Sequence, residues 1–127
     1  MLRYIILLLL LVIAFMAHAQ NYPQKAVNTG NNATYRGLSV AADDAVWVSG
    51  SKGWVGRSVN GSDSWSFSEV QGYEQCDFRT VYALDSNNAV IANAGSPAYI
   101  VRTSNGGKSW EKVYENKDSA AFIDGAD

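Results

Sequence analysis

Arg36, Asp77, Arg79 and Tyr82 are the residues whose types and spacing could do chemistry. Two guanidiniums can clamp a carboxylate through forked hydrogen bonds. A carboxylic acid can protonate a leaving oxygen, and a tyrosine can attack as the nucleophile. Together these are the parts of a hydrolase that opens the glycosidic bond of an acidic sugar. Asp77, Arg79 and Tyr82 lie close together, while Arg36 precedes Arg79 by 43 residues. The plainer reading gives Arg36 and Arg79 structural roles, bonding between repeated units with Asp77 as partner. We adopt that reading, with the hydrolase as the alternative.

Other chemistries find few residues to carry them. His18 is the sole histidine and Cys76 the sole cysteine. That leaves no Ser-His-Asp hydrolysis and no typical zinc site in the main part of the chain. Gly50-x-x-Gly53 reads as a hairpin turn, not as a dinucleotide fingerprint, and no loop shows a dense run of calcium ligands. No metal and no cofactor are expected. Cys76 reads as a buried, inert thiol; a disulfide partner on another chain, or on a part of the protein beyond this sequence, is the sharper alternative.

The N-terminus has the three parts of a secretory signal. Arg3 supplies the positive start, Ile5 to Phe15 is an uncharged apolar run, and Ala17-His18-Ala19 offers small residues before Gln20. The run is short of the ~20 residues that span a bilayer, so residues 1–19 are expected to be cleaved and the protein exported, periplasmic or extracellular. Cleavage removes one of 10 basic residues against 12 acidic ones. With no basic patch, nucleic acid is excluded as a partner, and so is a membrane after cleavage.

The elements that must position the four candidates come from a repeat. Tyr35-Arg36-Gly37-Leu38-Ser39-Val40 matches Phe78-Arg79-Thr80-Val81-Tyr82-Ala83, Ala45-Val46-Trp47-Val48 matches Ala89-Val90-Ile91-Ala92, and Trp54-Val55-Gly56-Arg57 matches Tyr99-Ile100-Val101-Arg102. Turn-forming stretches such as Asp43-Asp44, Asn60-Gly61 and Asn105-Gly106-Gly107 separate them. Strands are predicted at 35–41, 45–49, 53–59 and 65–70, then at 78–84, 88–93, 98–104 and 110–115. Four strands in ~40–50 residues is the period of a β-propeller blade.

The expected division is therefore 20–34 as a loose polar segment, 35–77 as blade 1, 78–117 as blade 2 and 118–127 as the start of a truncated third blade. Two blades leave apolar faces open, so the chain reads as an N-terminal fragment of a longer propeller.

Both units end their third strand in one turn pattern. Thr103-x-Asn105-x-Gly107-x-x-Trp110 resembles the Asp-box, or bacterial neuraminidase repeat, with Asn in place of Asp. Ser58-x-Asn60-x-Ser62-x-x-Trp65 departs further, with Asn for Asp and Ser for Gly. The chemistry reads as structural: Asn caps backbone N–H groups, Gly107 supplies a left-handed conformation, and each Trp covers its blade core. A sugar-binding role for these residues is the lesser alternative, because they recur at equivalent positions in both units.

The repeat resembles secreted Asp-box propellers, and the phrases Tyr35-Arg36-Gly37-Leu38-Ser39, Val46-Trp47-Val48-Ser49-Gly50 and Asp77-Phe78-Arg79 are similar to the group of the photosystem II assembly and stability factor. The resemblance implies a propeller of six or seven blades serving as a non-catalytic scaffold for a protein or glycan, and it does not carry over the photosystem role. The alternative is part of a sialidase-like glycoside hydrolase built on Arg36, Arg79, Asp77 and Tyr82. Exposed aromatics such as Trp54, Tyr73 or Tyr99 are possible contacts, though each reads first as core.

Overall fold

The computed structural model describes residues 1–6 and 23–123. Most of the expected signal, including His18 and the cleavage site, lies outside the described residues, as do residues 124–127 of the expected third unit. Among the described residues no helix is long and apolar enough to cross a membrane.

Among the described residues, alternating side chains and turn residues produce eight strands: β1 (Tyr35–Val40), β2 (Val46–Gly50), β3 (Trp54–Ser58), β4 (Ser66–Glu69), β5 (Asp77–Ala83), β6 (Ala89–Ala94), β7 (Ala98–Thr103) and β8 (Glu111–Asn116). They form two four-stranded antiparallel meanders, β1-β2-β3-β4 and β5-β6-β7-β8. The chain is all-β, and each sheet is one propeller blade. The described part of the third unit, up to Ile123, forms no strand.

Ladder register sharpens the repeat. Val40 faces Val46 in blade 1, and Ala83 faces Ala89 in blade 2. Val46 is therefore the counterpart of Ala89, one residue away from the alignment that pairs Ala45 with Ala89 on composition. The same ladders show a bulge at Arg36 and another at Arg79, each residue skipped in the pairing of its strand. A bulge adds one residue to one strand and re-aims its side chain. Both blades thus turn an arginine out of the first strand at the same place.

The blades stack face to face, with β5 against β1 and β2. The face of blade 1 that meets blade 2 is termed trailing, and the opposing face of blade 2 leading. The core lies between them, with Trp47, Val55 and Ala41 from blade 1 and Phe78, Val81, Ile91 and Val101 from blade 2. Gly37 is a point of close approach between them. A Cβ there would lie 2.2 Å from Ser49 Oγ, 3.1 Å from the Arg79 carbonyl and 3.2 Å from a Val81 methyl.

Polar bonds cross the seam as well. Trp47 Nε1 donates to the Asp85 carbonyl (3.2 Å), Ala83 N donates to Ser39 Oγ (3.0 Å), and Ser86 N donates to Asp43 Oδ2 (2.8 Å). Arg57 crosses the seam too. Its Nε donates to the Ser86 carbonyl at 2.5 Å while its guanidinium lies 5.6 Å from the Trp47 ring centre.

The segment before β1 is more tied down than its composition suggests. Lys25 donates to the Asp63 carbonyl, Thr34 N to Ser51 Oγ and Lys52 to Asn32 Oδ1. Asn31 caps Ala33 N and reaches the Tyr35 hydroxyl. Short side-chain-to-backbone bonds of this kind order a segment without a ladder.

Candidate functional site

The two bulges bring Arg36 and Arg79 to one carboxylate. Asp77 Oδ2 accepts from Arg36 Nη1 at 2.5 Å and from Arg79 Nε at 3.0 Å. The cluster straddles the blades at the start of their first strands, β1 and β5, which a propeller turns toward its axis. The side chains of Arg36 and Arg79 remain 45% and 40% exposed, so both guanidiniums keep free donors facing water. Two positive groups share one negative one, which leaves the rim with a net positive charge.

Tyr82 stands apart from that cluster. It is 53% exposed on the far face of blade 2, beside a shallow apolar hollow with Thr80, Ile100 and Tyr114. Arg36, Asp77 and Arg79 are thus brought together, while the tyrosine of the hydrolase alternative faces elsewhere. Asp77 is engaged by both arginines through one oxygen; its Oδ1 is buried and takes no hydrogen bond from the protein.

The turns that close the third strands share one bonding scheme. Ser58 Oγ accepts from Ser62 N at 3.0 Å, and Asn60 Oδ1 accepts from Ser64 N at 3.0 Å. In blade 2, Thr103 Oγ1 accepts from Gly107 N and Asn105 Oδ1 from Ser109 N, each again at 3.0 Å. Asn60 Nδ2 reaches Ser64 Oγ, and Asn105 Nδ2 reaches Ser109 Oγ. The side chains are spent within the turn.

The two tryptophans of these turns differ. Trp110 meets Trp47 of the preceding blade edge-on, with ring centres 6.1 Å apart. Trp65 stacks on Phe67 of its own sheet, at 5.7 Å. Trp110 closes a seam between blades, whereas Trp65 covers only its own surface. Beside Trp110 a polar groove of about 550 Å³ runs between the blades, lined by Arg57, Glu69, Lys108 and Ser109 among others.

Cys76 is a free thiol buried in the core, and burial pushes its pKa up. A raised pKa lowers the thiolate fraction and hence reactivity. Tyr73 and Tyr99 pack edge-to-face against each other and onto that core, and burial raises the Tyr73 pKa. Trp54 is half-buried. Among the described residues no three His, Cys, Asp or Glu side chains cluster as metal ligands would.

Sequence reasoning missed the Arg57 bridge, the Asp43 bond and the Gly37 approach. Each depends on where the second blade sits against the first, which no local pattern encodes. The bulges had a faint signal, since an arginine stands next to the first apolar position of each unit.

A sequence model of the photosynthesis system II assembly factor YCF48 matches residues 16–119. No curated protein matches. Among solved structures, YCF48 bound to D1 peptide is similar in fold, at 21% identity and a TM-score of 0.59. The match covers 72% of this chain and 28% of that one, so the chain spans well under a third of that structure's length.

Proposed function

The chain belongs to the photosynthesis system II assembly factor YCF48 family, and from that premise we propose that it is part of a non-catalytic, protein-binding propeller. The observation that carries the reading is the cluster at the rim: arginines from two blades converge on Asp77 and keep free donors in water. Such a pair takes a carboxylate of a partner by forked, charge-assisted hydrogen bonds. Asp77 holds the guanidiniums in place and is the internal competitor that an acidic partner has to match.

The similar structure binds a D1 peptide, and a peptide ligand of the same general kind suits an exposed rim. The family's photosystem partner is not part of the proposal; a peptide segment bearing carboxylates is. We further propose that the chain works outside the cytoplasm, on the strength of the apolar run and small residues in 1–19. A glycan is a second class of ligand, favoured by the polar groove beside Trp110, where a tryptophan lies among charged side chains.

Fluorescence anisotropy with a labelled acidic peptide, a labelled lysine-rich peptide and the D1 peptide tests the proposal. Binding of carboxylate-bearing peptides, weakening with salt, is the expected result. Equal binding of the lysine-rich peptide would contradict it. Turnover of a fluorogenic sialoside that is lost in Arg79→Ala would replace the scaffold by the hydrolase alternative.

A further inference from the structure

The turns after β3 and β7 repeat what folding requires and differ in what it does not. Ser58, Asn60 and Trp65 recur as Thr103, Asn105 and Trp110, but Lys108 stands where the first turn has Asp63. The outer strands differ in the same manner. By ladder register, Ser66 and Ser68 of β4 occupy the places of Glu111 and Tyr114 in β8. The small residues and the reversed charge meet at one groove of about 550 Å³, between the trailing face of blade 1 at β4 and the β7–β8 turn of blade 2. Both walls belong to adjoining blades of this chain, and the volume falls in the range of small-molecule sites.

The charged groups of the groove are not spent on one another. Lys108 and Glu69 are exposed, and neither takes part in an ion pair among the described residues. Arg57 is held from behind, with Nε on the Ser86 carbonyl and Nη2 3.5 Å from Asn87 Oδ1. A Cβ on Gly106 would lie 2.9 Å from Arg57 Cζ, so a side chain there would push the guanidinium off the turn. Arg57 Nη1 keeps its donors for a ligand, and a group fixed in advance loses little freedom on binding. A guanidinium and an ammonium side by side take a carboxylate. Glu69 sets the other half of the specificity: it repels a ligand made only of carboxylates and accepts from hydroxyls. Ser68 and Ser109 add hydroxyl groups, and half-buried Trp110 offers apolar surface to a ring. From this we propose that the groove binds a carboxylated sugar, a hexuronic acid within a glycan. Its carboxylate meets Arg57 and Lys108, and its hydroxyls meet Glu69 and the serines. The inference rests on the glycan reading of this groove and is independent of the rim, which belongs to the first strand of each sheet.

Isothermal titration calorimetry on the full-length protein tests this with trigalacturonic acid and its neutral counterpart, galactotriose. Trigalacturonic acid is expected to bind and galactotriose to bind far more weakly. Lys108→Ala is expected to weaken trigalacturonic acid about fivefold, the upper end for an exposed ion pair. Lys108→Asp and Ser68→Tyr are expected to weaken it more, by reversing the charge and by filling the groove. Each of these two places in one blade the residue that the other blade carries at that position, so the fold tolerates it, which circular dichroism checks. Arg102→Ala is expected to leave trigalacturonic acid binding unchanged, and Lys108→Ala to leave the anisotropy of a labelled acidic peptide unchanged. Equal binding of galactotriose would overturn the carboxylate assignment and leave the glycan reading standing. No binding of either sugar would overturn both. Lys108 variants that bind trigalacturonic acid as wild type does would remove the ligand from the groove. An acidic peptide weakened by Lys108→Ala as much as the sugar would make the groove a peptide site instead.

Discussion

Blade 1 and blade 2 have the same strand order, the same bulged arginine and the same bonds in their closing turns, yet several residues in equivalent register positions are buried in one and not in the other. Trp47 is 1% exposed, while Val90 in the same register position is only half-buried. Val81 is 7% exposed, while Leu38 is 67% exposed. The lesson is a division of labour. Local sequence builds each blade, and the neighbouring blade decides which face becomes core. Repeat proteins owe their stability to such nearest-neighbour interfaces as much as to their units.

The largest test of that division is a pair of truncations at one register position. Trp47→Ala removes a ring packed between the blades and should cost about 3–5 kcal/mol by chemical denaturation, as truncation of a buried aromatic does. Val90→Ala should cost less than about 1 kcal/mol, because among the described residues no blade covers its face. Equal costs would mean that the seam is no more stabilising than an open face.

The second pair tests the polar part of the seam. Arg57→Ala loses the bond to the Ser86 carbonyl and the contact with Trp47, and should cost about 1–3 kcal/mol. Arg102→Ala removes only an exposed pair with Glu111 and should cost no more than about 0.5 kcal/mol. Thermal melts of both variants against wild type read the difference.

Much of this architecture is legible in the sequence. Period-2 alternation and turn residues mark all eight strands to within one residue of their observed ends. Asp77 is the exception to the expected blade boundary, since it opens β5 instead of closing blade 1. The Ser58/Asn60 and Thr103/Asn105 turns are legible because their bonds span only two to four residues. The seam is not legible, because Arg57 to Ser86 and Asp43 to Ser86 join residues 29 and 43 apart. At the rim, the types and spacing of Arg36, Asp77 and Arg79 suggest their meeting, but Tyr82 is separated from Arg79 by the alternation of its strand.

A third pair compares the turns. Ser62 has φ +75°, where blade 2 has Gly107 at φ +83°. The left-handed region costs an L-residue about 1–2 kcal/mol. Ser62→Gly should therefore stabilise the chain by about 1 kcal/mol, offset in part by the greater freedom of glycine in the unfolded chain. Gly107→Ala should destabilise by a similar amount through its positive φ, since its Cβ would only touch Trp47 at ordinary contact distance, 3.4 Å. A destabilised Ser62→Gly would show that the serine side chain matters more than its backbone.

The smallest effect is one of pH. The bond from Ser86 N holds the Asp43 carboxyl below its ordinary pKa. A lowered folded pKa means that the contribution is present above the unfolded value, about 3.9, and is lost as pH falls through the folded one. The difference in Tm between wild type and Asp43→Asn should be constant near neutrality and shrink below about pH 4. A gap that persists at lower pH would remove Asp43 from the acid-sensitive contacts of the seam.

The central functional claim is that the arginines raised on the two bulges form the contact face, and anisotropy with one labelled acidic peptide tests it against an internal control. Arg36→Ala and Arg79→Ala should each weaken binding by about tenfold, ~1.4 kcal/mol, while Arg102→Ala, an equally charge-reducing change on the outer part of blade 2, should leave it unchanged. Equal loss in all three variants would reduce the interaction to net charge, and no loss in the first two would place the contact face elsewhere on the molecule.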